Sequence, residues 1–345
     1  MKVQYQVITL RNKFDTPAVC CAVEFENVVS RMLDAKIICI SEPERVSCGK
    51  LRVAIIVCVS MSHFFKFINS YIKIRNTYDH CILYVFDGWD ANNFIIRKQI
   101  KYYEMFRGRR VSLESLFDTI CVPFKKASDS LENYFSKSIL HIPIGVDTSL
   151  CDGLNKNRKI DVLAYGRQQD SLIDEISMRF HRPKSRLLMY HTNHMQICKI
   201  RDFTAHRRMF WSIAQNSKVA LNYDGYYLDS THFKYSFVGQ RWAESMAAGC
   251  VVLGKRPRSP EMNILFPWEN STLNVDSDPK LAFEKLNFIL NEPGLIKSIG
   301  ERNAVETRRR HDWAHRVYDI LTHLKLPKPQ ILVDKSHGLK AIALP

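Results

Sequence analysis

"SKVALNYDGYYLDSTHFKYSFVGQRWAESMAAGCVVLGKRP", residues 217 to 257, decides the fold class. A near-continuous apolar run ends at Tyr223, a polar loop follows, an amphipathic segment starts near Gln240, and the β-branched run "CVVLG" comes directly after. Strand, loop, helix and strand in that order make a βαβ unit, and strands without polar alternation are buried on both faces, as in a parallel sheet. The pattern recurs along the chain in "AKIICIS", "RVAIIVCV", "CILYVFDG", "DTICVPF", "SILHIPIG", "KIDVLAYG" and "RLLMYH", each separated by helical periodicity. The expected class is α/β with parallel sheets covered by helices on both sides.

Apolar periodicity is lost between Val146 and Lys159 in "VDTSLCDGLNKNRK", where Asp, Gly, Asn and Lys gather as in a linker. The expected division is a Rossmann-like domain over 1–150, a second over 151–325, and a tail over 326–345. At 345 residues and 46% hydrophobic content both domains have ample core.

Open parallel sheets bind ligands at the carboxyl ends of their strands, which directs attention to Gly166-Arg167, Tyr223-Asp224, Gly254-Lys255 and Asp87-Gly88. Gly239 and Gln240 open the helix after Tyr223. Its unpaired N–H groups and partial positive charge suit a diphosphate. Arg241 in the first turn adds a fork of donors. Glu244, one turn on, can accept from two vicinal hydroxyls, as a ribose presents, and the small residues at 247–249 allow close packing. The plainer reading of Arg241 and Glu244 is an i,i+3 ion pair on a solvated face. For Gly166-Arg167 it is an ordinary tight turn.

This stretch resembles the C-terminal half of the group 1 glycosyltransferases with the GT-B fold, in particular a bacterial subgroup whose signature runs Arg, two residues, Glu, small residues, Gly and a hydrophobic strand. "HIPIGVD" (141–147), "IDVLAYGR" (160–167) and "RHDWAHRVYDIL" (310–321) are similar to the family's end of the first domain, its first strand and phosphate-side loop in the second, and its closing helix. The pieces stand in the family's order over most of 118–322. The resemblance implies two Rossmann-like doubly wound parallel-sheet domains facing a cleft. The second would hold a nucleotide-diphosphate-sugar donor through Glu244, Gly239, Gln240, Gly166, Arg167, Tyr223 and Lys255, with Arg241 stabilising the leaving diphosphate. The chain departs from the best-known members at Ser236, where they carry a second Glu that holds donor-sugar hydroxyls.

An acceptor hydroxyl needs a base. His63, after "RVAIIVCVS", and Asp87, closing "LYVFD", are the candidates, against the plainer readings of a solvated imidazole and a capping carboxylate. Asp276-x-Asp278 is expected to cap the helix that Pro279 begins rather than to bind metal. His191, His194 and Cys198 in "HTNHMQIC" lack the second half of a zinc site and are read as a loop. Helix N-terminus and arginines suffice for the diphosphate charge, so neither metal nor resident cofactor is expected.

A formal charge of +15 favours an anionic partner. Residues 95–110, "IIRKQIKYYEMFRGRR", carry six Lys/Arg against one Glu among aliphatic and aromatic residues, the pattern of a helix lying on an anionic membrane surface or of a core helix with a solvated basic side. No ribonucleoprotein-type or KH-type signature accompanies them, so nucleic acid is not an expected partner. The opening "MKVQYQVITLRNKFD" lacks the apolar core of a secretory signal, no run of 18 apolar residues occurs, and the ten cysteines show no CxxC pattern. A cytoplasmic enzyme is expected, peripheral on the inner membrane face. It would move sugar to a glycan or glycolipid hydroxyl in surface polysaccharide or glycolipid synthesis. The rival readings are a nucleotide-sugar epimerase on the same fold and a basic nucleic-acid-binding protein.

Overall fold

The computed structural model describes residues 3–10, 20–40, 51–88, 113–133, 138–151, 155, 157–192 and 200–344. The basic stretch 95–110, together with His194 and Cys198, lies outside them. The chain divides into two compact units, Met1–Ile144 with Trp313–His337, and Gly145–Asp312 with Gly338–Pro345.

The first unit is built on a six-stranded parallel sheet, β2-β1-β3-β4-β5-β6, formed by β1 (Val3–Thr9), β2 (Lys36–Cys39), β3 (Leu51–Cys58), β4 (His80–Val85), β5 (Thr119–Val122) and β6 (Ile139–His141). In this unit the strand absent from the sequence reading is β1, which pairs with both β2 and β3. Its glutamines disguise it. Gln6 is nonetheless buried and accepts a 2.8 Å hydrogen bond from the Tyr78 hydroxyl, so its amide is compensated inside the core.

The second unit carries a five-stranded parallel sheet, β11-β10-β9-β7-β8, with β7 (Ile160–Ala164), β8 (Met189–His191), β9 (Ser217–Tyr223), β10 (Val251–Lys255) and β11 (Leu273–Asn274). Alternate residues serve opposite layers. Leu163, Ala220 and Val252 pack with Trp211, Trp242 and Met246 from the helices Phe203–Gln215 and Gln240–Ala247. Val162, Val219, Leu221 and Leu253 pack with Ile176, Leu286 and Ile299 from the helices Asp170–Phe180, Pro279–Leu290 and Pro293–His311. Both faces are therefore covered, which is why the strands read as continuous apolar runs.

Two expected boundaries move. The first division falls at 144/145 rather than 150/151. Residues 146–151 form a packed connection: Val146 N–H donates to the His311 carbonyl at 2.8 Å, Asp147 caps the short 3-10 turn Thr148–Leu150, and Thr148 bonds Asp312. Residues 313–337, expected in the second domain and the tail, belong to the first unit. Trp313 is fully buried there among Phe25, Tyr84 and Phe86, and burying an indole of that size outweighs continuity along the chain. Most of the expected tail is the helix Gln330–Lys340. Among the described residues no helix is long and apolar enough to cross a membrane.

Candidate functional site

Strand order locates the site. In the second sheet the chain runs from β7 to β8 on one side and then to β9 on the other. The switch point, the place where open parallel sheets take ligands, therefore lies at the carboxyl ends of β7 and β9. Tyr165-Gly166-Arg167 leaves β7 there, and the loop from Asp224 returns to the helix Gln240–Ala247 beside it.

That helix is positioned at both ends. Its C-terminus closes with Gly249 at φ +72°: Gly249 N–H donates to Met246 O at 2.8 Å and Cys250 N–H to Ser245 O at 3.0 Å. This left-handed closure delivers the chain straight into β10. At its N-terminus Gly239 is extended and has no side-chain cap bond. A Cβ there would meet only the Phe237 ring edge at 3.8 Å, so the space beside the start of the helix is open on that side. Gln240 Nε2 donates to Gly145 O at 3.1 Å, anchoring the first turn.

Arg241 turns back onto the β7 loop. Its Nη1 donates to the carbonyls of Tyr165 at 3.0 Å and Arg167 at 2.7 Å. Gly166, at φ +67°, lies beneath it, where a Cβ would stand 3.0 Å from Nη1. Burial, aided by the neighbouring Arg167 cation, pushes the Arg241 guanidinium below its ordinary value. Arg167 is exposed, its guanidinium 4.7 Å from the centroid of the Phe233 ring. Two cations thus flank one glycine turn at the switch point, and that is more than an ordinary tight turn requires.

Glu244 does not pair with Arg241. It is 3% exposed, and its Oε1 accepts a 2.7 Å bond from Arg207 Nη2 of the helix Phe203–Gln215. Its Oε2 accepts a longer one, 3.4 Å, from the Tyr165 hydroxyl. The plainer reading of an i,i+3 pair on a solvated face does not hold: the residues share a turn, but one faces loop carbonyls and the other a buried cation. Asn222 completes the arrangement by donating to Arg241 O and Ser245 Oγ, both at 3.0 Å. Tyr165, Arg207 and Asn222 were not singled out in the sequence. Arg207 had a signal, since it shares a face with Trp211 and Ala214 at helical spacing.

Tyr223 and Lys255 are register partners at the ends of β9 and β10. Tyr223 is buried and stacked on Tyr227, with a hydroxyl lacking a hydrogen-bond partner, and burial raises its phenol well above the ordinary range. Lys255 Nζ lies 5.7 Å from the centroid of the Tyr227 ring. Ser236 Oγ donates to Asp224 Oδ2 at 2.6 Å and accepts from Arg258 N–H at 2.8 Å. A carboxylate thus stands beside the position where the resembling family has its extra Glu, supplied from the strand end. Burial raises the Asp224 carboxyl, opposed by that Ser236 bond. Asp276 and Asp278 act as expected: Asp278 caps the helix Pro279–Leu290 through Lys280 N–H at 2.7 Å, and Asp276 accepts from Asp278 N–H at 2.9 Å.

In the first unit the switch point lies between β1 and β3. His63 sits there, in the short helix Met61–Phe65 capped by Ser60. It is buried, edge-on to Phe67, so the reading of a solvated imidazole is corrected. Burial, with the Lys66 charge, pushes it down to about 4. Asp87 is exposed in the turn after β4.

Comparison with known proteins agrees with the architecture. The chain is similar to Anabaena HepE in complex with UDP-glucose, with a TM-score of 0.52 and 9% identity over 93% of this chain and 99% of that one. Two parallel-sheet α/β units and this likeness define the GT-B fold. Residues 169–322, which cover most of the second unit and continue into the first, match the family model described as glycosyl transferase-like. The chain is also similar to a glycosyltransferase from Rickettsia africae (TM-score 0.48, 11% identity, 94% of this chain and 98% of that one). Sucrose-phosphate synthase from Thermosynechococcus elongatus is similar too (TM-score 0.46, 10% identity, 93% and 98%). No curated protein matches the sequence.

Proposed function

We propose that the protein moves a sugar from a nucleotide-diphosphate donor to a hydroxyl of a glycan or glycolipid, with the donor bound at the switch point of the second sheet. The observation that carries this is the convergence of Arg241, the N-terminus of its helix and the Gly166-Arg167 turn between the ends of β7 and β9. As the bond from the anomeric carbon to the diphosphate breaks, negative charge grows on the leaving oxygens. Arg241, Arg167 and the helix N–H groups meet that charge, so the step needs no metal. Glu244 takes ribose hydroxyls, while Tyr223 and Lys255 border the donor at the neighbouring strand ends. The acceptor oxygen forms the new bond and its proton passes to a general base. Asp87, exposed at the carboxyl end of β4, suits that task. His63 is the second candidate, since a depressed imidazole is neutral at pH 7 and can accept a proton.

The test is a thermal-unfolding panel of ADP, GDP, UDP and TDP with their sugars, because a ligand that binds only the folded state raises its stability. One diphosphate and its sugars should raise the unfolding temperature, and Arg241→Ala should abolish the rise. A flat response to the whole panel refutes the donor assignment.

A further inference from the structure

We infer that Arg207 is a positioning residue for donor binding: it turns the Glu244 carboxylate so that Oε2 is the oxygen offered to the donor's ribose. The inference rests on the reading of Glu244 just given. Glu244 lies on the buried side of its helix, where an unpaired carboxylate is strongly disfavoured. Within its own helix Arg241 is the nearby cation, and Arg241 is committed to the carbonyls of Tyr165 and Arg167. The compensating charge comes instead from a different helix, through the 2.7 Å contact of Arg207 Nη2 with Oε1.

The side chains of this pair are 10% and 5% exposed. Arg207 is itself held in place, its guanidinium 4.6 Å from the Phe210 centroid and 5.3 Å from that of Trp211. A charge-assisted bond of this kind fixes the rotamer of its acceptor. An ionised carboxylate has about four acceptor positions. Arg207 takes one on Oε1, and on Oε2 the Tyr165 hydroxyl makes only the 3.4 Å contact, which a ribose hydroxyl can displace. Without Arg207 the carboxylate is no longer held in this rotamer, and the diol loses its acceptor while Arg241 and the helix N-terminus are untouched.

The experiment uses the full chain and calorimetry with ADP, GDP, UDP and TDP, the best binder being carried forward. Compared are wild type, Glu244→Gln, Arg207→Met, Arg207→Lys and the double variant Arg207→Met/Glu244→Gln, each with its unfolding temperature. Arg207→Met should weaken the diphosphate by about tenfold, as loss of a charge-assisted hydrogen bond implies. Glu244→Gln should match it, and the double variant should be no weaker than either single one. Arg207→Lys should recover part of the affinity. For the sugar donor the change should fall on KM rather than kcat, a split that simple loss of folded protein does not produce.

If Glu244→Gln weakens binding and folded Arg207→Met and Arg207→Lys bind as wild type, the positioning role is overturned and the ribose assignment stands. Losses that multiply in the double variant overturn it too. Should Arg207→Met fail to fold, Arg207→Lys decides alone: it upholds the role if its Kd rises while its folded fraction is unchanged, and overturns it if its Kd is that of wild type. Wild-type affinity in Glu244→Gln, or binding of none of the four diphosphates by wild type, overturns the ribose reading and the inference with it.

Discussion

Gly166→Ala probes the site with a single methyl group. At φ +67° an L residue is forced into the left-handed region, at a cost of about 1–2 kcal/mol. The new Cβ would also stand 3.0 Å from Arg241 Nη1 and 3.2 Å from its Cδ. The guanidinium is the flexible partner, so it shifts by a few tenths of an ångström. That loosens its bonds to the Tyr165 and Arg167 carbonyls, at 3.0 and 2.7 Å. Backbone strain should lower the unfolding temperature by about 2–8 °C, taking roughly 2–4 °C per kcal/mol for a unit of this size. Displacement of Arg241 should lower kcat by roughly tenfold, below the ~10²-fold loss that a full ångström of misplacement can cause. Differential scanning calorimetry reads the first and steady-state kinetics the second. A double-mutant cycle separates them. The three atoms nearest the new Cβ all belong to Arg241, so Gly166→Ala made on top of Arg241→Ala should retain the strain but add no kinetic loss. Wild-type stability and turnover in the single variant, or kinetic losses that multiply in the double, would refute the reasoning.

Arg241→Ala should lower kcat on the order of 10²-fold, as removal of an oriented charge stabiliser does, whereas Glu244→Gln should chiefly raise donor KM; equal effects of the two on both constants would merge the roles assigned to them. Activity should persist in EDTA, and complete loss restored by magnesium or manganese would contradict the metal-free step. His63 is depressed from 6.5 to about 4 in the folded chain, so between those values the unfolded state binds more protons and stability falls as pH falls. His63→Phe should flatten that part of the stability profile, and an unchanged slope in the variant would show that His63 does not cause it. The basic stretch 95–110 should give salt-sensitive binding to vesicles containing phosphatidylserine but not to phosphatidylcholine alone, since each surface Lys or Arg contributes about 1 kcal/mol; equal binding to both, or to neither, would remove the membrane role.

The class of this fold was legible because strands buried on both faces need apolar side chains at every position, and β7, β9 and β10 accordingly stand out as runs. The turn chemistry was legible for the same local reason. Asp278 before Pro279 acts through a bond to an atom two residues away. What local pattern cannot carry is the choice among distant partners. Gln4 and Gln6 interrupt β1, and only the Tyr78 hydroxyl, brought in from another element, makes burial of Gln6 inexpensive. Trp313 follows the second unit in the chain but fills a hole among Phe25, Tyr84 and Phe86 in the first. Arg241 and Glu244 invited pairing three residues apart on one helix. Instead packing brought the Tyr165 and Arg167 carbonyls to the one and Arg207 to the other. Spacing along a helix determines which side chains can meet. Which of them do meet is decided by the full set of buried polar groups that must each find a partner once water is excluded.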